Sequence, residues 1–166
     1  MATPTNLPAT AVSGEILTAA YVNNLRGAFR VLQVVQGFTS TAVSNSTTTY
    51  ADTGLTATIT PQFNTSKILV LVSQAGLSNN SSTGSGITCN IVRNGVEQQV
   101  FAYSVGYAGS AIITRHNAAG FLLDSPATTS AVTYKTQFKN IQNAASVSVQ
   151  VDSAVTSTII LMEISA

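Results

Sequence analysis

From Val31 onward, apolar and hydroxyl-bearing residues alternate in one short run after another. In the run LTATIT, Leu55, Ala57 and Ile59 would line one face of a strand, and three threonines would line the other. Because successive strand side chains point to opposite faces, this spacing predicts a half-buried antiparallel strand. The run KILVLV, which starts at Lys67, is apolar on both faces and predicts a central strand. We therefore expect the chain to fold mainly into β-sheet.

Turn signals separate these runs. Asn94-Gly95 lies between two β-rich segments, and a two-residue turn of this type needs a positive φ at both positions, so residues 87–93 and 96–103 should pair. Further runs are AIITR, GFLLD, AVTYKTQF, SVSVQV and STIILMEI. Eight or nine short strands without a second helix predict an antiparallel β-sandwich or jelly-roll-like domain over residues 31–166.

The composition limits the partners that the domain can have. Charged residues make up 8% of the 166 residues, against roughly a quarter in an average soluble protein. The 23 threonines and 19 serines must therefore supply most of the polar surface. The seven basic residues are scattered singly, which disfavours nucleic acid as a partner. No apolar run approaches the ~18–20 residues needed for membrane insertion.

The first 30 residues have a different character from the remainder. Residues 1–14 are rich in Pro, Thr and Ala without a period, and they predict an extended arm. Thr18 is a good N-cap, and an amphipathic helix is predicted over Thr18–Arg30. Its apolar stripe has the spacing of a self-associating helix and consists of Val22, Leu25, Phe29 and Leu32. Two interpretations stay open: a helix that plugs its own β-domain, or a stem that oligomerises.

Residues able to carry catalysis are scarce. His116 and Cys89 are the only residues of their types, which excludes metal sites built from several His or Cys ligands. His116 is expected in an exposed turn, and Cys89 is expected to face the core. Asp52 and Asp124 are predicted in turns rather than as the paired carboxylates of a glycosidase. We expect no catalytic, cofactor-binding or metal-binding residues and no enzyme activity.

Two segments are candidate contact loops. Ser73–Gly86 and Tyr103–Ser110 mix Gly, Ser and Asn with three larger side chains, Leu77, Tyr103 and Tyr107. Tyrosine in a Gly/Ser-rich loop provides a large amphipathic contact area with few rotatable bonds. Ordinary long hairpin turns are the alternative interpretation.

Several stretches of the sequence resemble those of a known family. GEILTAAYVNNLRGAF is similar to the opening of many small tailed-phage virion proteins. The stretch from VLQVVQG to KILVLVS, together with STIILMEI, resembles a β-rich domain of tail-fibre and other virion proteins. The resemblance extends from Glu15 to Ile164. It implies a fibre-tip or particle-surface module that is usually a homotrimer and has no cofactor.

The resemblance leads to a functional expectation and two alternatives. We expect a short tail-fibre or receptor-binding-like trimer on the outer surface of the phage particle, on the tail or the capsid. Residues 1–14 would attach it to other virion proteins, and a host surface receptor or glycan is a candidate partner.

The first alternative is a capsid decoration protein, of the cement or head-fibre type. The second, a polysaccharide-cleaving spike enzyme, is disfavoured because no carboxylate pair is evident. A fibre tip should carry its Tyr/Gly/Ser-rich loops at the end distal to the arm.

Overall fold

A computed structural model describes residues 31–80, 83–142 and 146–165 of the chain. Its regular elements are ten strands: β1 (Val31–Thr39), β2 (Val43–Asn45), β3 (Ala51–Ile59), β4 (Lys67–Ser78), β5 (Ile87–Arg93), β6 (Val96–Val105), β7 (Arg115–Asp124), β8 (Val132–Asn140), β9 (Val147–Val149) and β10 (Ser157–Ile164). None of the described residues lies in a helix. The predicted arm and helix, with Val22, Leu25 and Phe29, fall outside the described residues.

The strands form two antiparallel sheets. In the first, which we call sheet A, β4 lies between β10 and β7, β1 flanks β10, and the short β9 and β2 continue the sheet beyond the end of β4. In the second, sheet B, the order is β3-β8-β5-β6. The inner faces of the two sheets pack against each other. The prediction of a mainly β chain built from antiparallel sheets is confirmed.

The core lies between the two sheets, where the alternating pattern places its apolar residues. Leu55, Ala57 and Ile59 of β3 are buried, and the threonines between them are exposed, as the sequence predicts. They pack against the inner residues of sheet A, which include Ile68, Val70, Val72, Ile159 and Leu161. A second cluster fills the other half of the interior and contains Cys89. Cys89 is therefore a core residue, as expected.

The hairpin between β5 and β6 is also confirmed. Arg93 pairs with Val96, and the two residues between them form the turn. Asn94 has a φ of 47° and Gly95 a φ of 87°, so both lie in the left-handed region that this turn requires. The Asn94 side chain accepts a hydrogen bond from the backbone N–H of Thr133 at 2.9 Å, which ties the turn to β8.

Several expectations about local structure were wrong. The described residues form ten strands rather than eight or nine. β9 lies within the predicted run SVSVQV, whereas β2, which pairs with β9, was not predicted. AIITR and GFLLD are not two strands, since a single strand, β7, begins only at Arg115. His116 lies in that strand and not in a turn, although it is exposed as expected. Leu32 lies in β1 and is half-buried, so it does not extend a helical stripe.

Asp52 and Asp124 were predicted in turns, but both lie in strands. Each forms an ion pair with a basic side chain. Asp52 of β3 accepts from the Lys135 ammonium at 2.7 Å on the surface. Asp124, the last residue of β7, accepts from Arg93 Nη1 at 2.7 Å and from the Tyr134 hydroxyl at 2.6 Å. Because Arg93 and Tyr134 belong to sheet B, this second cluster links the two sheets.

The sandwich has two distinct ends. At one end, which we call proximal, the start of β1, the end of β10 and the start of β4 lie side by side. There Val31 pairs with Ile164, and Ile164 pairs with Lys67. At the other end, which we call distal, Ser78 pairs with Arg115. The loops that precede β5 and β7 lie at the distal end.

Candidate functional site

The outer face of sheet B is polar and internally hydrogen-bonded. The hydroxyls of Thr58 and Thr133 are 2.8 Å apart across neighbouring strands. Gln137 donates to the Asp52 carboxylate at 2.7 Å, beside the ion pair of Asp52 with Lys135. Partial burial alone would raise the pKa of Asp52, but the hydrogen bonds from Lys135 and Gln137 hold it below its ordinary value. These polar side chains therefore have their partners within the chain.

The outer face of sheet A has the opposite character. Strand pairing aligns its outward residues in rows that cross β1, β10, β4 and β7. One row is Val34, Met162, Leu69 and Leu123. The next row is Gln36, Ile160, Leu71 and Phe121. A third row is Phe38, Thr158, Ser73 and Ala119.

The large apolar residues of these rows form what we call the apolar face: Val34, Phe38, Leu69, Leu71, Phe121, Leu123, Ile160 and Met162. The two phenylalanines, on opposite edge strands, are the most exposed, at 73% for Phe38 and 65% for Phe121. None of the twelve positions in the three rows carries a charge. Large exposed apolar patches on a folded protein mark interaction sites. This face is therefore the first candidate functional surface.

The sequence contains a signal for this face. The runs KILVLV and STIILMEI are apolar on both sides of the strand. Where two sheets pack together, only one side of each strand faces the core, so the other apolar side lies on the outer surface. KILVLV predicted the central position that β4 has, but neither run was interpreted as evidence for an exposed apolar face.

The second candidate surface is a cluster of loops at the distal end. The structure brings together the two segments selected from the sequence, because the Gly84 N–H donates to the Ala108 carbonyl at 2.9 Å. The Asn79 side chain donates to the Gly106 carbonyl at 3.0 Å and accepts from the Thr114 N–H at 2.9 Å. These bonds fix the β6–β7 loop against the end of β4.

The three candidate contact residues have different positions. Tyr103, on β6, is 78% exposed, and Tyr107, in the following loop, is 56% exposed, so both can reach a partner. Leu77 is completely buried in the second core cluster and cannot, which corrects the expectation for that residue. A bulge in β4, where Gly76 has a φ of 62°, breaks the alternation and buries residues 74–79 in succession. The sequence analysis missed Ile112 and Ile113, which are exposed in the same loop as Tyr107.

A shallow groove of about 200 Å³ also lies at the distal end. It is bounded by Gly76 of the β4 bulge, by Arg115, His116 and Asn117 of β7, and by the loop that contains Asp152. Asn117 Oδ1 accepts from the Gly76 N–H at 3.0 Å and so fixes one wall. Side chains of both charges and an imidazole lie around this groove together with the apolar Val151 and Val155.

The proximal end is closed by a buried carboxylate. Glu163 of β10 accepts from Gln33 Nε2 at 2.6 Å and from the backbone N–H groups of Gln62 and Phe63 at 2.7 and 3.4 Å. Burial alone would raise the pKa of Glu163, but the hydrogen bonds from surrounding side-chain and backbone donors hold it below its ordinary value. Glu163 thus anchors the β3–β4 loop as a charged acceptor.

The single cysteine of the chain is buried. Burial raises the pKa of the Cys89 thiol to about 12, so this side chain is neutral and inert. Within residues 31–80, 83–142 and 146–165, no three His, Cys, Asp or Glu side chains are grouped so that they could hold a metal ion. In that same part of the chain, no helix is long and apolar enough to span a membrane.

The chain was compared with known families and proteins. It matches no protein-family model, and no curated protein matches it.

Proposed function

We propose that this protein is a bacteriophage virion surface protein, a short tail-fibre or receptor-binding-like module that works as a homotrimer. In this proposal residues 1–14 attach the module to other virion proteins, and the distal loop cluster contacts the host surface. The protein has a structural and binding role and no catalytic one.

The observation that carries the proposal is the placement of the two ends. The described chain begins at Val31, at the proximal end, and the loop that holds Tyr107 lies at the distal end. A module anchored through its N-terminal segment would therefore point these exposed residues away from the particle. A fibre tip requires this orientation, whereas a decoration protein would place its binding energy in the arm and base.

The strand order gives further support. Apart from β2 and β9, the strands divide into two groups of four, β1-β10-β4-β7 and β3-β8-β5-β6. We assign this order to the jelly roll, an architecture that recurs in viral capsid and lectin domains. Fold alone does not determine function, so the jelly-roll assignment supports the proposal less strongly than the placement of the two ends does.

An arm deletion tests the attachment that the proposal requires. Residues 1–14 carry no charge and no amphipathic period, and their Pro-marked backbone suits a groove or a strand edge of a partner. A chain that starts at Glu15 should keep the β circular dichroism spectrum and the oligomeric mass of the full chain. It should fail to bind virions that lack the protein, whereas the full chain added in trans should bind them.

Salt provides the control for this experiment. Binding through a nearly uncharged arm should survive added salt, because it depends on backbone hydrogen bonds and apolar contacts rather than on screened ion pairs. A truncated chain that still binds particles would place the attachment site on the β-domain. A truncated chain that does not fold would make the arm part of the core, and either result would contradict the proposed attachment.

A further inference from the structure

We propose that the apolar face of sheet A is the surface through which copies of this chain associate, so that three such faces meet about the symmetry axis of the trimer. This inference rests on the self-association in the proposed function, and it adds the residues that produce it. It does not depend on where the trimer is located.

The first argument is size. The face crosses four strands, a width of about 14 Å at the usual strand spacing, and carries eight large apolar side chains. An apolar patch on an ordinary monomer covers about 300–600 Å², whereas a standard protein interface buries about 800 Å² on each partner. Four of its eight side chains are more than half exposed, the two phenylalanines most of all, so the face is one continuous apolar patch rather than a set of scattered single residues.

The second argument is charge. The three rows carry no charge, and Lys67, which follows them at the proximal edge of the sheet, donates to the Ser125 hydroxyl. Copies that pack through these rows therefore have no ion pair to complete there and no like charges to separate. The outer face of sheet B carries Asp52, Lys135 and Lys139 and would bring like charges together in the same arrangement. Removing charged groups from water is costly even when they are paired, so the neutral face is the one suited to a second copy.

The third argument is continuity along the sequence. The apolar stripe of the predicted helix contains Val22, Leu25 and Phe29, and the helix is followed directly by β1. β1 carries Val34 and Phe38 of the apolar face. A seam between helices of different copies would therefore continue onto the apolar face.

Light scattering on the full-length protein tests the inference. The wild-type mass should be about three times 17.1 kDa at micromolar concentration. Phe121→Asp and Leu71→Asp place a carboxylate in the seam and should weaken association at least 100-fold, which shifts the mass towards that of the monomer. Thr58→Asp, on the outer face of sheet B, is the matched control and should leave the mass unchanged.

Cross-linking gives an independent measurement if an aspartate variant does not fold. Cys89 is buried, so cysteines introduced by Val34→Cys and Leu123→Cys are the reactive ones. A short bismaleimide should link chains of this double variant into dimers and trimers on a denaturing gel. Monomers alone would overturn the inference, as would a trimer that survives Phe121→Asp. A monomeric wild type would overturn the proposed trimer as well, so the two failures can be distinguished.

Discussion

At the scale of single residues, the turn at Asn94-Gly95 requires a positive φ at both positions. Gly95 has a φ of 87°, and a Cβ added there would meet no atom within 4 Å. A substitution therefore changes only the conformational cost of the left-handed backbone and adds no steric clash.

Gly95→Ala should lower the free energy of unfolding by about 1 kcal/mol, because a residue with a Cβ pays that amount in the left-handed region. Gly109→Ala is the matched control, since Gly109 is equally open but does not have a φ in that region. The control should be neutral or slightly stabilising in urea unfolding. Equal stabilities for the two variants would show that the assigned turn geometry is wrong.

Glu163 gives the protein a pH-dependent contribution to stability. Its pKa in the folded state is held below the ordinary value of 4.5. The stabilising contribution is therefore complete above pH 4.5 and is lost as the pH falls through the lower folded-state pKa.

Glu163→Gln should lower the free energy of unfolding by on the order of 1–3 kcal/mol at pH 7. The glutamine amide carries an NH₂ group in place of one carboxylate oxygen, so it cannot accept hydrogen bonds from all the donors that surround Glu163. The stability difference from wild type should shrink as the pH is lowered below 4.5. Glu97→Gln, at an exposed site with one side-chain hydrogen bond, is the control. If Glu163→Gln lowered the free energy of unfolding by the same amount at pH 7 and at pH 3, the stabilising role of the Glu163 carboxylate charge would be contradicted.

Sequence reasoning succeeded at residues whose structure is decided locally. Asn94-Gly95 forms the expected turn because both residues readily adopt the positive φ that the turn requires. The same reasoning failed for Asp52 and Asp124, whose turn preference is overridden by cations distant in sequence, Lys135 and Arg93. A local propensity cannot report a partner that only the folded chain brings within reach.

At the scale of elements, the two sheets are joined by a polar cluster as well as by their apolar core. Arg93 of β5 and Tyr134 of β8 both donate to Asp124 of β7. Burial and the neighbouring carboxylate raise the pKa of Tyr134 well above its ordinary value, so the phenol keeps the proton that it donates.

Asp124→Asn should destabilise the fold by about 2 kcal/mol, because it leaves the partly buried guanidinium without its counterion. Asp52→Asn removes an exposed ion pair of the same length, and should cost less than about 1 kcal/mol. Thermal unfolding of both variants gives the comparison. A larger loss for Asp52→Asn would contradict the role assigned to the cluster between the sheets.

Which segments form strands was largely predictable from the sequence, but what each side of a strand contacts was not. Alternation located β3, and a run apolar on both sides located β4 in the middle of its sheet. Leu77 was placed in a contact loop because the Gly/Ser/Asn content around it suggested flexibility, but the bulge at Gly76 buries it. Which side of β4 faces the core and which forms the apolar face depends on the packing of two sheets, and no single segment encodes that.

At the scale of the whole molecule, the sandwich differs from face to face and from end to end. One outer face carries hydrogen-bonded polar side chains, and the other is apolar and exposed among the described residues. One end receives the N-terminal segment, and the other presents Tyr107, Ile112 and Ile113. A trimer fixed at its proximal end, with its apolar faces turned inward, would leave the polar faces and the distal loops in solvent.

Immunogold electron microscopy of particles produced with this chain tests the central claim most directly. An antibody against the purified protein should decorate the ends of the tails, where short fibres are located. Label spread over the capsid faces or vertices would contradict the fibre assignment and favour a decoration protein. Particles that carry no label anywhere, beside a positive reaction with the purified protein on the same grid, would contradict the virion role altogether.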